Sequence, residues 1–457
     1  MDLILRGGTV VTAAQTYDAD IGIEGGRIVR IGFDLGPARR EIDVSGLYLL
    51  PGAVDVHTHV DVEFQGLQSV EDFHSGTVAA ACGGVTTLID YALPGPGQSP
   101  LETIQAWHAK ARDKAVIDYG FHVAVFEPDD TAIQQIPDVI AEGHTSFKIF
   151  MMGTFEQYID GFMQMMAQVG RHGGLVNLHV EDACCLEYLA RRFNADGKYG
   201  AAYFADSRPR AAEGIATMRG IGMAQLAEVP AYLVHLSCEE SLESLDRARG
   251  KGQTVFGETR PCYLHFSRAR MEEEDGILYA GWPPLREADQ MEILWQGLES
   301  GVLQTVATDH DGWSFQQKKS FDRVDEILAG MAGLETMVPL LYSQGVLKNR
   351  LSLNRMVEVT AANPARLFGL YPRKGTIQIG ADADIVAFDP KAGKTIRADD
   401  MHSAADWDPF EGWEVEGWPR MTLSRGDVVV DRGRVLARPG QGRLLKRDRF
   451  SETVARL

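Results

Sequence analysis

Apolar and polar positions follow two distinct rhythms along these 457 residues. In the first fifty residues, short apolar pieces are broken by glycine: Leu3-Ile4-Leu5, Val10-Val11, Ile21-Gly22-Ile23 and Ile28-Val29. They read as small antiparallel strands. The same texture returns at Ala383–Phe388 and Val428–Val435. Two strand-rich ends flanking a long middle predict one small β-sandwich domain built from both termini. Its expected bounds are residues 1–52 and 372–440, with 441–457 as a C-terminal tail.

Residues 53–371 alternate short apolar runs with longer helical patterns, the rhythm of βα units around a parallel sheet. The candidate strands are Ala53–His57, Val85–Tyr91, Tyr119–Val125, Ser146–Phe150, Leu175–His179, Tyr232–Leu236, Thr254–Glu258 and Gln304–Thr308. Helical patterns include Ser69–Ala81, Leu101–Lys114, Gln157–Arg171 and Ala288–Ser300. Eight such strands close a (β/α)8 barrel. The expected fold is therefore α/β, a TIM barrel carrying a small sandwich domain.

Polar residues interrupt this pattern at one recurring place, the C-terminal end of an apolar strand. His57 and His59 lie two apart, so on a strand both imidazoles point to one face and can share an ion. Lys148 falls within the fourth strand, His179 ends the fifth, His235 lies late in the sixth and Asp309 follows the eighth. An unpaired polar group at such a position is costly, and one histidine alone is more often a satisfied core residue. Six around one barrel mouth point instead to a metal centre at the face where barrel active sites lie.

Lys148 requires its own account, since an ammonium binds no metal. In an apolar pocket desolvation lowers its pKa, and the neutral amine can add carbon dioxide. The two oxygens of that carbamate can bridge two divalent ions. His57, His59 and Asp309 would hold one ion, and His179 and His235 the other. Asp309 is expected to act also as the catalytic proton shuttle.

Charge and cysteines narrow the setting. Asp+Glu number 64 against 45 Lys+Arg, a formal charge of -19. That sign disfavours nucleic acid and anionic membrane as partners. Five cysteines show no paired spacing, and no run approaches the roughly 20 apolar residues of a membrane span. The N-terminus lacks a basic-then-apolar signal segment. The expectation is a cytoplasmic protein with a small-molecule substrate.

The motifs resemble one family. Pro51-Gly52-Ala53-Val54-Asp55-Val56-His57-Thr58-His59, Phe147-Lys148, His179-Val180-Glu181, His235-Leu236-Ser237 and Thr308-Asp309-His310 look like the cyclic amidohydrolases: hydantoinases, dihydropyrimidinases and allantoinases. Glu258-Thr259-Arg260-Pro261-Cys262-Tyr263-Leu264, Pro283-Pro284-Leu285-Arg286 and Gly380-Ala381-Asp382-Ala383-Asp384 extend the likeness over nearly the whole chain. The resemblance implies a hydrolase of cyclic C–N bonds with a carboxylated lysine (Lys148), two metals, usually zinc, and often a homotetramer.

Two positions depart from the family's common pattern. Many relatives carry a tyrosine five residues after the bridging lysine, where this chain has Gly153; many carry a serine before Pro-Pro-Leu-Arg, where it has Trp282. Gly333-Leu334-Glu335-Thr336 and Asp406-Trp407-Asp408-Pro409-Phe410 look closest to the L-type hydantoinases. Gly153, Trp282 and Thr336 are accordingly the candidate substrate contacts, with Trp313 as a further aromatic wall. A 5-substituted hydantoin, opened to an N-carbamoyl amino acid, is the expected substrate. Allantoin and dihydropyrimidines are the alternatives, and a catalytically silent scaffold is the non-enzymatic one.

Overall fold

A computed structural model of the chain describes residues 1–452. The apolar runs of the middle region become the strands of a barrel. These are Ala53–His59, Val85–Ala92, Asp118–Ala124, Ser146–Phe150, Leu175–His179, Ala231–Leu233, Val255–Thr259 and Thr305–Val306, here called the first to eighth strands. Each pairs in parallel with the next. Past Val306 the chain continues so that His310–Asp311 pairs in parallel with Thr58–His59, which closes the ring. The runs are apolar on both faces because helices cover the outside and side chains fill the inside.

Helix ends differ slightly from the expected ones, for local reasons. The helix expected from Ser69 begins at Phe73, because Asp72 and Ser75 form a reciprocal cap at its start. The next helix begins at Pro100, behind a matching Ser99–Glu102 cap. Before Ile159–Arg171 the chain makes one 3-10 turn, Phe155–Tyr158. Ala288–Ser300 is found as expected and ends at Gly301, whose φ of 87° few other residues would tolerate.

Both chain ends contribute to one nine-stranded mixed sheet. Tyr48–Pro51 runs antiparallel to Ile385–Thr395 on one side and parallel to Leu3–Val11 on the other. Ile28 on Arg27–Gly32 and Leu423 on Glu414–Ser424, strands that are not neighbours in the sheet, share one apolar core, so the sheet folds over on itself as a sandwich. The segment expected as a tail packs on the barrel floor as far as it is described. Tyr119 N donates to Arg443 O, Leu445 N donates to Tyr119 O, and Leu445 joins Val54, Leu175, Phe256 and Phe368 in a core cluster. No helix among the described residues is long and apolar enough to cross a membrane.

Barrel and sandwich are tied at Asp118, which pairs with Arg425 and with the buried Lys374. Lys374 Nζ lies 2.7 Å from Asp118 Oδ2 at the start of the third strand, and 3.1 and 2.6 Å from Asp382 and Asp384 beside the sandwich. Removing one partner of a buried charge group leaves the others uncompensated, at a cost of about 3–5 kcal/mol. Lys374→Met should therefore lower the unfolding free energy by that amount, read as a lower urea midpoint at unchanged slope. An unchanged midpoint would show that the three carboxylates do not depend on this lysine.

Candidate metal centre

Strand geometry sets the first half of the site. His57 and His59 project from the end of the first strand, and Asp309 follows the eighth, which the ring closure brings alongside. Asp309 Oδ1 lies 2.9 Å from His57 Nε2 and 3.1 Å from His59 Nε2. His57 Nε2 is buried yet makes no hydrogen bond, despite that short approach. Lone pairs converging on one point without hydrogen-bond geometry are what a cation needs, and these three residues form a group able to hold a metal ion. His57 Nδ1 is fixed at 2.6 Å by Glu258 Oε1, the outer partner that orients a metal-binding imidazole. Glu258 also accepts from Tyr232 Oη and from His235 N.

The second half comes from the fifth and sixth strands. His179 Nδ1 and His235 Nε2 face each other at 2.9 Å. Burial lowers the pKa of both rings, most strongly for His235, so both are neutral and able to ligate. His179 Nε2 is held at 2.9 Å by Glu181 Oε2. Glu181 in turn takes two hydrogen bonds from Arg208, 3.0 Å from Nε and 2.7 Å from Nη2. The Arg208 guanidinium lies 5.1 Å from the centre of the Trp282 ring.

Lys148 stands between the two halves, fully buried, with Nζ 4.4 Å from the Tyr91 ring centre and 4.9 Å from that of Phe150. Burial lowers its pKa to about 8, against the opposing pull of Asp309 and Glu258. Asp309 moves the other way. Burial would raise its pKa, but Arg260 and His57 hold it well below the usual carboxylate range.

All six residues line one cavity of about 390 Å3. Its outer wall is apolar, with Val62, Phe64, Phe126, Phe150, Trp282 and Trp313. Phe64 meets the Trp282 ring edge-on at 5.4 Å. Gly153 also lines the cavity; its φ is 60°, and nothing lies within 4 Å of where a Cβ would be. The place expected to bear a tyrosine in relatives is therefore open space.

The match to the amidohydrolase family model runs over residues 48–429 and takes in every residue of this centre. The chain belongs to the amidohydrolase family. A D-hydantoinase from Rhizobium radiobacter is 40% identical over 99% of this amidohydrolase and 100% of its own length. The crystal structure of a dihydropyrimidinase from Brevibacillus agri superposes with a TM-score of 0.96, at 40% identity over 99% of this chain and 100% of that one. An L-hydantoinase from Arthrobacter aurescens gives 0.91 at 28% identity, over 98% and 100%. The local likeness of Gly333–Thr336 and Asp406–Phe410 to the L-type is thus not carried by the whole chain.

Other residues of the amidohydrolase sort themselves by contact. Thr336 is buried at the head of the helix Met337–Leu340, with its hydroxyl on Gly333 O at 3.4 Å, and is not among the cavity-lining residues. His310 accepts from Gly333 N through Nδ1 and faces Glu71 through Nε2, so it is engaged outside the centre. Cys82, Glu335 and His402 form a second group of metal-binding residue types. There His402 directs Nδ1 at Glu335 and Nε2 at Gly433 O, and hydrogen bonding to Glu335 raises its pKa. Both ring nitrogens are thus already engaged by acceptors, and Glu335 and His402 pair with each other.

Sequence reasoning assigned no role to Glu258, Glu181, Arg208 or Arg260. Glu181, Glu258 and Arg260 fall inside the motifs quoted above, and Glu258 carried a further signal, a charged residue late in an apolar strand, whereas Arg208 carried none. For Glu181 the prediction is a double loss in Glu181→Gln: metal affinity lower by about 10–100-fold, as for lost outer-shell partners, with weaker folding. Chelator competition would measure it. Unchanged affinity would mean that Glu181 does not orient His179.

Proposed function

We propose that this amidohydrolase opens the ring of 5-substituted hydantoins to give N-carbamoyl amino acids. The observation that carries this reading is a cavity with six convergent metal-binding side chains at its base and aromatic walls above. His57, His59 and Asp309 would hold one divalent ion, His179 and His235 a second, and Lys148, carboxylated at Nζ, would bridge them. When bound, two such ions, zinc being the expected pair, supply a hydroxide at neutral pH and polarise the carbonyl. Asp309 takes the proton released as water adds to the ring carbonyl and returns it to the departing nitrogen. The C–N bond breaks, and the ring carbonyl becomes a carboxylate. With no side chain at Gly153, the oxyanion relies on the centre itself and on backbone donors.

The walls decide between substrates. Burying an apolar or aromatic ring substituent gains roughly 1.5–3 kcal/mol, whereas the polar ureido group of allantoin would lose water without compensation. A silent scaffold is disfavoured by the complete set of metal-binding side chains. The same reading places the barrel at 53–371 and the small domain at 1–52 and 372–440, in a cytoplasmic homo-oligomer. Tyr188, Met218 and Leu226, exposed on nearby helices, supply apolar surface that a second copy could cover.

Two experiments test the proposal. Lys148→Ala should lose most of its metal and nearly all turnover, with partial rescue by a short carboxylic acid. Carbon dioxide adds only to the neutral amine, so metal reloading of stripped protein should slow as pH falls below about 8. At pH 6 the neutral fraction is about a hundredfold below its maximum. Full metal and rate in the alanine variant would remove the bridge. The second compares kcat/KM for 5-benzylhydantoin, allantoin and dihydrouracil. Wild type should favour benzylhydantoin, and Trp282→Ser should narrow that preference. A clear wild-type preference for allantoin would overturn the substrate assignment.

A further inference from the structure

Arg260 follows the seventh strand and is buried in the cavity wall, 1% exposed. Its Nε and Nη2 donate to Thr308 O and Asp309 O at 3.3 Å each. Nη1 lies 2.9 Å from Asp309 Oδ2, the carboxylate oxygen opposite the one that His57 and His59 approach. Despite that proximity Nη1 makes no hydrogen bond. Gly281 keeps space beside it, since a Cβ there would come within 3.1 Å of Nη1. Nη1 is thus ion-paired with Oδ2 while its hydrogens are not aimed at that oxygen, so it can still donate to an acceptor that arrives during function.

The surroundings indicate which acceptor. Asp309 and Asp311 line the same cavity beside Arg260, so its charge is already balanced and a fully anionic substituent gains little. A neutral oxygen that becomes negative during reaction gains most. Arg260 sits on the Oδ2 side of Asp309, from which the departing nitrogen would receive its proton. In a hydantoin that nitrogen is conjugated to the second ring carbonyl. As the C–N bond breaks, its electron pair spreads from nitrogen onto that carbonyl oxygen.

We propose that Arg260 is a catalytic residue that donates a hydrogen bond from Nη1 to the carbonyl oxygen conjugated with the departing nitrogen. It stabilises the charge that the breaking bond releases. Arg260 keeps all its protons throughout, and the nitrogen receives its proton from Asp309. This inference rests on the hydantoin reading above.

The test uses the intact metal-loaded enzyme with 5-benzylhydantoin and its 2-thio analogue, whose sulfur is a poor acceptor. The quantity read is the ratio of kcat/KM for oxygen over sulfur. Loss of one charge-assisted hydrogen bond should lower that ratio by roughly tenfold or more in Arg260→Ala relative to wild type. Arg260→Lys, which keeps a cation in the wall and guards against misfolding, should give an intermediate ratio. Added guanidinium should restore Arg260→Ala on the oxygen substrate and much less on the sulfur one. A residue that only positions Asp309 would slow both substrates equally and be rescued equally, and that result overturns the proposal. So does loss of metal from the variants, measured by elemental analysis, because it would assign Arg260 to holding the centre. Wild type inert toward benzylhydantoin would sink the substrate reading instead; an active wild type with an unmoved ratio sinks only the role of Arg260.

Discussion

The site depends on the joint between the first and last barrel strands. Asp55 accepts from Thr308 Oγ1 at 2.6 Å, from Thr308 N at 3.2 Å and from His57 N at 3.2 Å. One buried carboxylate thereby sets in register two segments that lie far apart in the chain. Without that joint, His57 and His59 would have no Asp309 beside them. Burial raises the Asp55 pKa to about 6 despite these donors, so desolvation is the larger effect. Glu258 plays the matching part between the first, sixth and seventh strands. Together the two carboxylates fix His57 through its backbone and its ring, and His235 through its backbone.

That order is maintained against backbone strain. His235 and Asp309 both adopt left-handed conformations, with φ of 43° and 49°. Residues other than glycine hold such angles at a cost of about 1–3 kcal/mol, and only where the surroundings over-determine them. Here the determinants are visible: Glu258 grips the His235 amide, and Arg260 grips the carbonyl and carboxylate of Asp309. The strain falls on two of the candidate ligands, each turned at a strand end into the cavity.

Much of this was legible in the sequence because burial makes polar residues conspicuous. His57, Lys148, His179 and His235 stand out against Val, Ile and Leu neighbours, and their shared place late in successive barrel strands brings them to one mouth. The supporting residues were hidden for the opposite reason. Arg208 lies in a loop between helices with no apolar frame to mark it, and only the fold brings it to Glu181. Thr336 was read from a local motif, and its hydroxyl is spent on its own helix start. Residues 441–450 carry a polar, arginine-rich pattern that looks like free chain. They are ordered by backbone pairing with Tyr119 and Gly143 and by Leu445 in the core beside Val54 and Phe368, partners far away in the chain that the local pattern does not name.

The sandwich built from both ends has a consequence for how the protein is made. Tyr48–Pro51 emerges from the ribosome early, but its antiparallel partner Ile385–Phe388 is more than three hundred residues away. At roughly 5–20 residues per second, synthesis of the intervening barrel leaves that strand edge open for something like half a minute. The first fifty residues must therefore wait, half paired and rich in Leu, Ile and Val, until nearly the whole chain exists. During that interval the exposed edge is open to other nascent chains, and a chaperone that shields it would serve until its partner strand arrives.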